Sequence, residues 1–157
     1  YKKVVFLDLE DLMCGVGEER AMDNRSLSLL RYTIMEGAHA ELVMIGTWRR
    51  RFYEWADAEF AQTEEYTDCL ELLKALASYR IYVSDVAPVL EKDSVSALQE
   101  VRVWLDVHHA DNYVILTGQQ YTDAEEFRDH MVNVSEFDRE CADKAVEILK
   151  SERIDMA

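Results

Sequence analysis

The sequence predicts a three-layer α/β fold: a mostly parallel five-stranded sheet with helices on both faces. Three observations carry this. Short, continuous apolar runs recur along the chain, the pattern of strands buried on both sides. Longer amphipathic stretches with helical spacing lie between them, so strands and helices alternate and imply right-handed βαβ crossovers. Finally, 157 residues with 49% hydrophobic and 31% charged side chains suit one globular domain spanning 1–157, with no internal repeat and no linker.

The strands come in order. Val4-Val5-Phe6-Leu7 runs into Asp8, and Glu41-Leu42-Val43-Met44-Ile45 follows. Arg80-Ile81-Tyr82-Val83-Ser84 is the third and Tyr113-Val114-Ile115-Leu116 the fourth. His130-Met131-Val132-Asn133-Val134 is a weaker fifth. Four helical stripes separate or follow them: Leu27, Leu30 and Ile34; Cys69, Leu72, Leu73 and Leu76; Leu98, Val101 and Leu105; and Ala142, Ala145, Val146 and Leu149. Ser135-x-x-Asp138 reads as a capping box opening the last helix. The aromatic and charged stretch at 48–66, with Trp48, Phe52, Tyr53, Trp55, Phe60 and Tyr66, reads as an amphipathic helix or small helical cap beside the sheet.

Charge and composition exclude several classes of function. The formal net charge is −15 and the pI near 4.6, a surface that repels phosphate backbones and argues against general nucleic-acid binding. No apolar run has the length of a membrane span, and the opening residues lack the layout of a signal peptide. The absence of an initiator Met is expected to reflect upstream residues. Cys14, Cys69 and Cys141 are far apart, with no Cys-x-x-Cys or Cys/His spacing, so reduced thiols in a cytoplasmic protein are expected rather than a structural zinc site.

The charge is also uneven. Residues 1–60 hold 8 basic and 11 acidic side chains, and residues 61–157 hold 9 and 21. This excess is expected on the C-terminal helices, either as a solvated face or as a surface that docks a basic partner. Arg49-Arg50-Arg51 stand apart because they directly follow the second strand, and open α/β sheets bind ligands at strand C-termini.

Candidate chemistry gathers after the first strand, in Asp8-Leu9-Glu10-Asp11. Alternation places residues 8 and 10 on one side of an extended chain. Two carboxylates there suit either a hard cation such as Mg²⁺ or a nucleophile with an acid/base partner. Among the histidines, His108-His109 follow a helix whose dipole favours a cation, while His39 and His130 have no Cys or His at ligand spacing. Cys14, six residues past Asp8, has no base nearby in sequence.

The segment VVFLDLEDLMC at 4–14 resembles the first motif of the haloacid-dehalogenase (HAD) superfamily, a hydrophobic strand followed by D-x-D-G. Four further segments, in order, resemble the HAD domain of multidomain RNA-repair proteins. Residues Ala40 to Arg49 match its strand and S-S-S-W-R, and Ile81 to Pro88 its next strand with a Thr-Pro ending. Val101-Arg102-Val103-Trp104-Leu105 matches its I-x-x-W-L helix, and Asn112-Tyr113-Val114-Ile115-Leu116 its Y-V-I-L-D-D strand. The resemblance spans about residues 3–150 and implies a HAD-like Rossmannoid fold.

For an active member the resemblance implies Asp8 as nucleophile, Glu10 in the position of the acid/base, and Thr47 holding the phosphoryl group. Arg49 or Lys92 would neutralise it, and Mg²⁺ would sit on Asp8, Glu10 and an acid after the fourth strand. A dianionic phosphate approaches a carboxylate only where cations cancel the charge. The chain departs from this pattern in every motif. Glu10 replaces an Asp, Asp11 replaces a Gly, Ile45-Gly46-Thr47 replaces Ser-Ser-Ser, and Ala97-Leu98 replaces Arg-Gly. Thr117-Gly118-Gln119-Gln120 stands where the metal acids belong, with Asp123 as the substitute if the loop bends back. The expectation is a catalytically impaired HAD-like domain that binds a protein partner or a small phosphorylated ligand, with no cofactor. The alternative is a divergent phosphatase that uses Mg²⁺.

Overall fold

A computed structural model of the chain describes residues 3–8, 13–14, 21–22, 24–45, 73–87, 97–117, 124–133 and 138–151. Five strands form one parallel sheet: β1 (Lys3–Asp8), β4 (Glu41–Ile45), β5 (Val83–Val86), β6 (Asn112–Thr117) and β7 (Met131–Asn133). Their spatial order is β5-β4-β1-β6-β7, so β1 is central. A separate two-stranded antiparallel ribbon, β2 (Met13–Cys14) with β3 (Ala21–Met22), follows β1. The cap expected at 48–66 lies outside the described residues.

Helices cover both faces. On one face, α1 (Asn24–Ser28) runs on as a π-helix, Leu29–Glu36, beside helix α2 through 73–78 and α4 (Arg139–Lys150). These pack Leu27, Leu30, Ile34, Leu76, Ala142, Ala145 and Leu149 against Val5, Leu7, Leu42, Met44, Val114 and Leu116. On the other face, α3 (Ala97–Val107) and a 3₁₀ helix, Ala124–His130, pack Leu98, Val101, Trp104 and Phe127 against Val4, Phe6, Val43, Ile45 and Ile115. Residues of the three inner strands β1, β4 and β6 therefore alternate between the two cores, which is why their central runs are apolar.

Two helices on the first face end alike. Met35 and Leu76 each accept a hydrogen bond from the backbone N–H five residues on, Ala40 at 3.0 Å and Ile81 at 2.9 Å. His39 (φ 56°) and Arg80 (φ 58°) sit in the left-handed region that this 6→1 closure requires. Arg80, Ile81 and Tyr82 are thus spent in ending α2 and entering the sheet. The third strand begins at Val83, not at Arg80 as its apolar run predicts.

β5 also carries a bulge. Leu42 pairs with Val83 but Val43 with Asp85, leaving Ser84 as the extra residue. A bulge on an edge strand discourages further pairing there. The last helix differs from expectation at its start. Asp138 is itself the N-cap, accepting from the Cys141 N–H at 3.0 Å. It is not the third helical residue of a box opened by Ser135, which lies outside the described residues. His130 ends the 3₁₀ helix instead of starting β7.

Candidate functional site

The chain leaves β1 for β4 and β5 on one side, then crosses to β6 and β7 on the other. The order reverses between β1 and β6, and their C-terminal ends bound the crevice where doubly wound sheets bind ligands. β1 ends on Asp8, so the sequence-predicted nucleophile stands at the end of the central strand, in register with Ile45 of β4. On its other side Leu7 pairs with Leu116, and one step further the two strands end on Asp8 and Thr117. Thr117 is 1% exposed and itself pairs with Asn133 of β7.

Only Asp8 of the predicted site residues is described. Glu10, Thr47, Arg49, Lys92 and Asp123 lie outside the described residues, as do Gly118, Gln119 and Gln120. Asp8 pairs with Ile45 at the end of β4, and β6 ends on Thr117. Mg²⁺ sites rely on carboxylates, and no group of three or more His, Cys, Asp or Glu able to hold a metal ion occurs among the described residues.

Two polar arrangements went unmarked in the sequence. At the outer edge of the sheet, Trp104 Nε1–H donates to Asp85 Oδ2 at 2.8 Å. His108 stacks on the Trp104 indole, ring centroids 4.4 Å apart, with Nε2 3.5 Å from the same carboxylate oxygen. Its Nδ1 lies 3.2 Å from the Trp104 carbonyl oxygen. Both ring nitrogens thus face acceptors within the protein, so His108 clamps α3 to β5.

The second arrangement is Asn112, 5% exposed. Its Nδ2 donates to the Ile148, Leu149 and Ser151 carbonyls at 2.7, 3.3 and 3.1 Å, closing the C-terminus of α4. An acceptor–donor side chain at the start of a buried strand is the signal that could have found it. His130 is likewise structural: Nδ1 lies 2.8 Å from the Tyr113 carbonyl oxygen and the ring stacks on Tyr113 at 3.8 Å.

Among the described residues, the two long C-terminal helices are not where the acidic excess sits. α4 carries three basic and three acidic side chains, paired in part as Arg139–Asp143 at 3.3 Å and Lys144–Glu140 at 3.4 Å. α3 carries one basic and two acidic. Neither helix offers a uniformly acidic face. Burial pushes the Cys141 thiol up from its ordinary range, which leaves it protonated and unreactive at neutral pH. No helix among the described residues is long and apolar enough to cross a membrane. Compared with family models and with curated proteins, the chain matches none.

Proposed function

We propose that the chain is a HAD-like domain that has lost metal-dependent phosphoryl transfer and acts by binding a small phosphorylated ligand or a protein partner in the cytoplasm. One observation carries the reading: Asp8 ends the central strand at the switch point, and the strand beside it ends on the neutral, buried Thr117. The strand order that forms a ligand crevice in doubly wound sheets supports the binding reading, and among the described residues no second acid ends a strand beside β1. The substitutions of Glu10 for Asp, Asp11 for Gly and Thr47 for a serine run bear on the same chemistry. Cys141 is in no disulfide, which is compatible with a reducing compartment.

The rival is a Mg²⁺-dependent phosphatase in which Asp8, Glu10 and Asp123 hold the ion and Thr47, Arg49 and Lys92 hold the phosphoryl group. Pure protein incubated with an aryl phosphate and millimolar Mg²⁺ separates the two. The expected result is hydrolysis at the uncatalysed rate. Turnover that disappears in Asp8→Asn would overturn the binding reading and establish the rival.

A further inference from the structure

We infer that the sheet edge at β7 is an interface between two copies of this chain, joined strand to strand about a two-fold axis. β7 ends the five-stranded sheet, and among the described residues no strand pairs with its outer side. An edge strand presents N–H and C=O groups that another extended chain can pair. Beside this edge lies a cleft of about 450 Å³, lined by all three residues of β7 and, from α4, by Lys144, Glu147 and Ile148. Asn133 is exposed, and Met131 and Ile148 are half-buried. Apolar surface and hydrogen-bonding backbone thus lie open together.

The charges choose the occupant. Lys144 and Glu147 stand three residues apart, so they share one side of α4, about 4.5 Å apart along its axis. α4 packs beside β7, with Val132 and Leu149 in one core. A two-fold axis normal to the sheet that pairs two β7 strands antiparallel therefore lays the two α4 helices side by side, also antiparallel. Each Lys144 then faces the other copy's Glu147. A two-fold interface demands this self-complementarity, in which residue i meets j and j meets i. Glu147 has no ion-pair partner among the described residues. Lys144 pairs with the exposed Glu140 at 3.4 Å, a contact weak enough to give way. An unrelated peptide could use the strand edge, but a second copy brings both matching charges with it.

Sedimentation equilibrium over roughly 10 µM to 1 mM chain reads the association. Salt at about 0.15 M screens the net charge of −15. The mass should rise with concentration from that of one chain towards that of two. Glu147→Lys puts like charges at both symmetry-related contacts and leaves the Glu140–Lys144 pair in place. It should weaken association about tenfold or more, and Lys144→Glu should do the same. The double reversal restores opposite charges across the axis and should return the affinity to within about threefold of wild type. Amide exchange in β7 should slow as the mass rises, and stay fast in Glu147→Lys at the same concentration. Both substituted side chains are exposed, so the fold is not at stake. A chain that stays single throughout overturns the interface and leaves the edge to a different chain or a small ligand. An association indifferent to the single reversals, or not restored by the double one, overturns it too. No outcome involves Mg²⁺ or phosphatase turnover, so this interface and the proposed function can fail separately.

Discussion

Val5, Leu7, Leu42 and Met44 leave one side of the sheet and join a core whose fully buried members are all aliphatic, with Tyr79 at its margin. Val4, Phe6 and Tyr113, on the other side, meet an aromatic set. The Phe6 ring lies edge-on to Trp104 at 5.3 Å and to Tyr113 at 5.9 Å, and Tyr113 lies edge-on to Phe127 at 6.4 Å. The aliphatic face is closed by volume and area, which many side chains of the right size satisfy. The aromatic face adds direction, because an indole N–H and imidazole nitrogens need partners at fixed places. Trp104 finds Asp85 and His130 finds the Tyr113 carbonyl. Alternatives should therefore be tolerated less on the second face.

The largest expected effect tests this directly. Trp104→Ala should destabilise the domain by roughly 3–5 kcal/mol, against about 2–5 kcal/mol for Leu30→Ala in the aliphatic core. The sharper comparison is Trp104→Phe, which keeps an aromatic ring but strips a donor from Asp85. It should cost about 1–3 kcal/mol, whereas Leu30→Met should cost less than about 1.5 kcal/mol. Urea unfolding of the four variants provides the measurement. Equal tolerance of Trp104→Phe and Leu30→Met would remove the distinction between the faces.

The same contrast explains what the sequence reveals and what it hides. Strands β1, β4 and β6 were legible because burial on both faces writes itself as unbroken apolar runs. The helix stripes through Leu27, Leu30 and Ile34, or Ala142, Ala145 and Leu149, were legible because each faces a core. Arg80 to Tyr82 misled, since a residue ending a helix and one opening a strand can both be apolar. Asp138 misled because a capping residue and its third neighbour are exchangeable by composition. The Asp85–Trp104 bond was illegible because it joins residues 19 apart and depends on the bulge at Ser84. The site was half legible: Asp8 is placed by its own strand, but which strand ends flank it is set by pairing between strands far apart in sequence.

The next effect concerns the aliphatic face, where side chains from outside helix α4 hold both of its ends. Asn112 gives its amide hydrogens to three carbonyls at the C-terminus, while Oδ1 accepts from the Tyr113 N–H at 2.8 Å. Asn112→Ala leaves those carbonyls without their buried donor and should cost about 1–3 kcal/mol. Asn112→Asp should cost more, because an acceptor then faces acceptors. Hydrogen exchange should localise the loss to the last turn of α4. Protection unchanged there would mean that packing of Leu149 alone secures the end.

The smallest effect is at the other end of the same helix, where it is read through pH. Asp138 is half-buried, and its carboxylate is held below the ordinary range chiefly by the hydrogen bond from the Cys141 backbone N–H, with Arg25 assisting. The folded state therefore favours the charged form, and the sign follows. Above the carboxylate's unfolded value, near 3.8, the cap contributes its full stability; as pH falls through the lower, folded value, that contribution is lost. Asp138→Asn keeps an acceptor but removes the titration. The stability difference between wild type and Asp138→Asn should thus be present at neutral pH and shrink below about pH 4. Urea midpoints measured at pH 7 and pH 3 decide it. A difference that stays constant would mean that the helix start is held by hydrogen bonding without regard to charge, and that the dipole contributes nothing at this position.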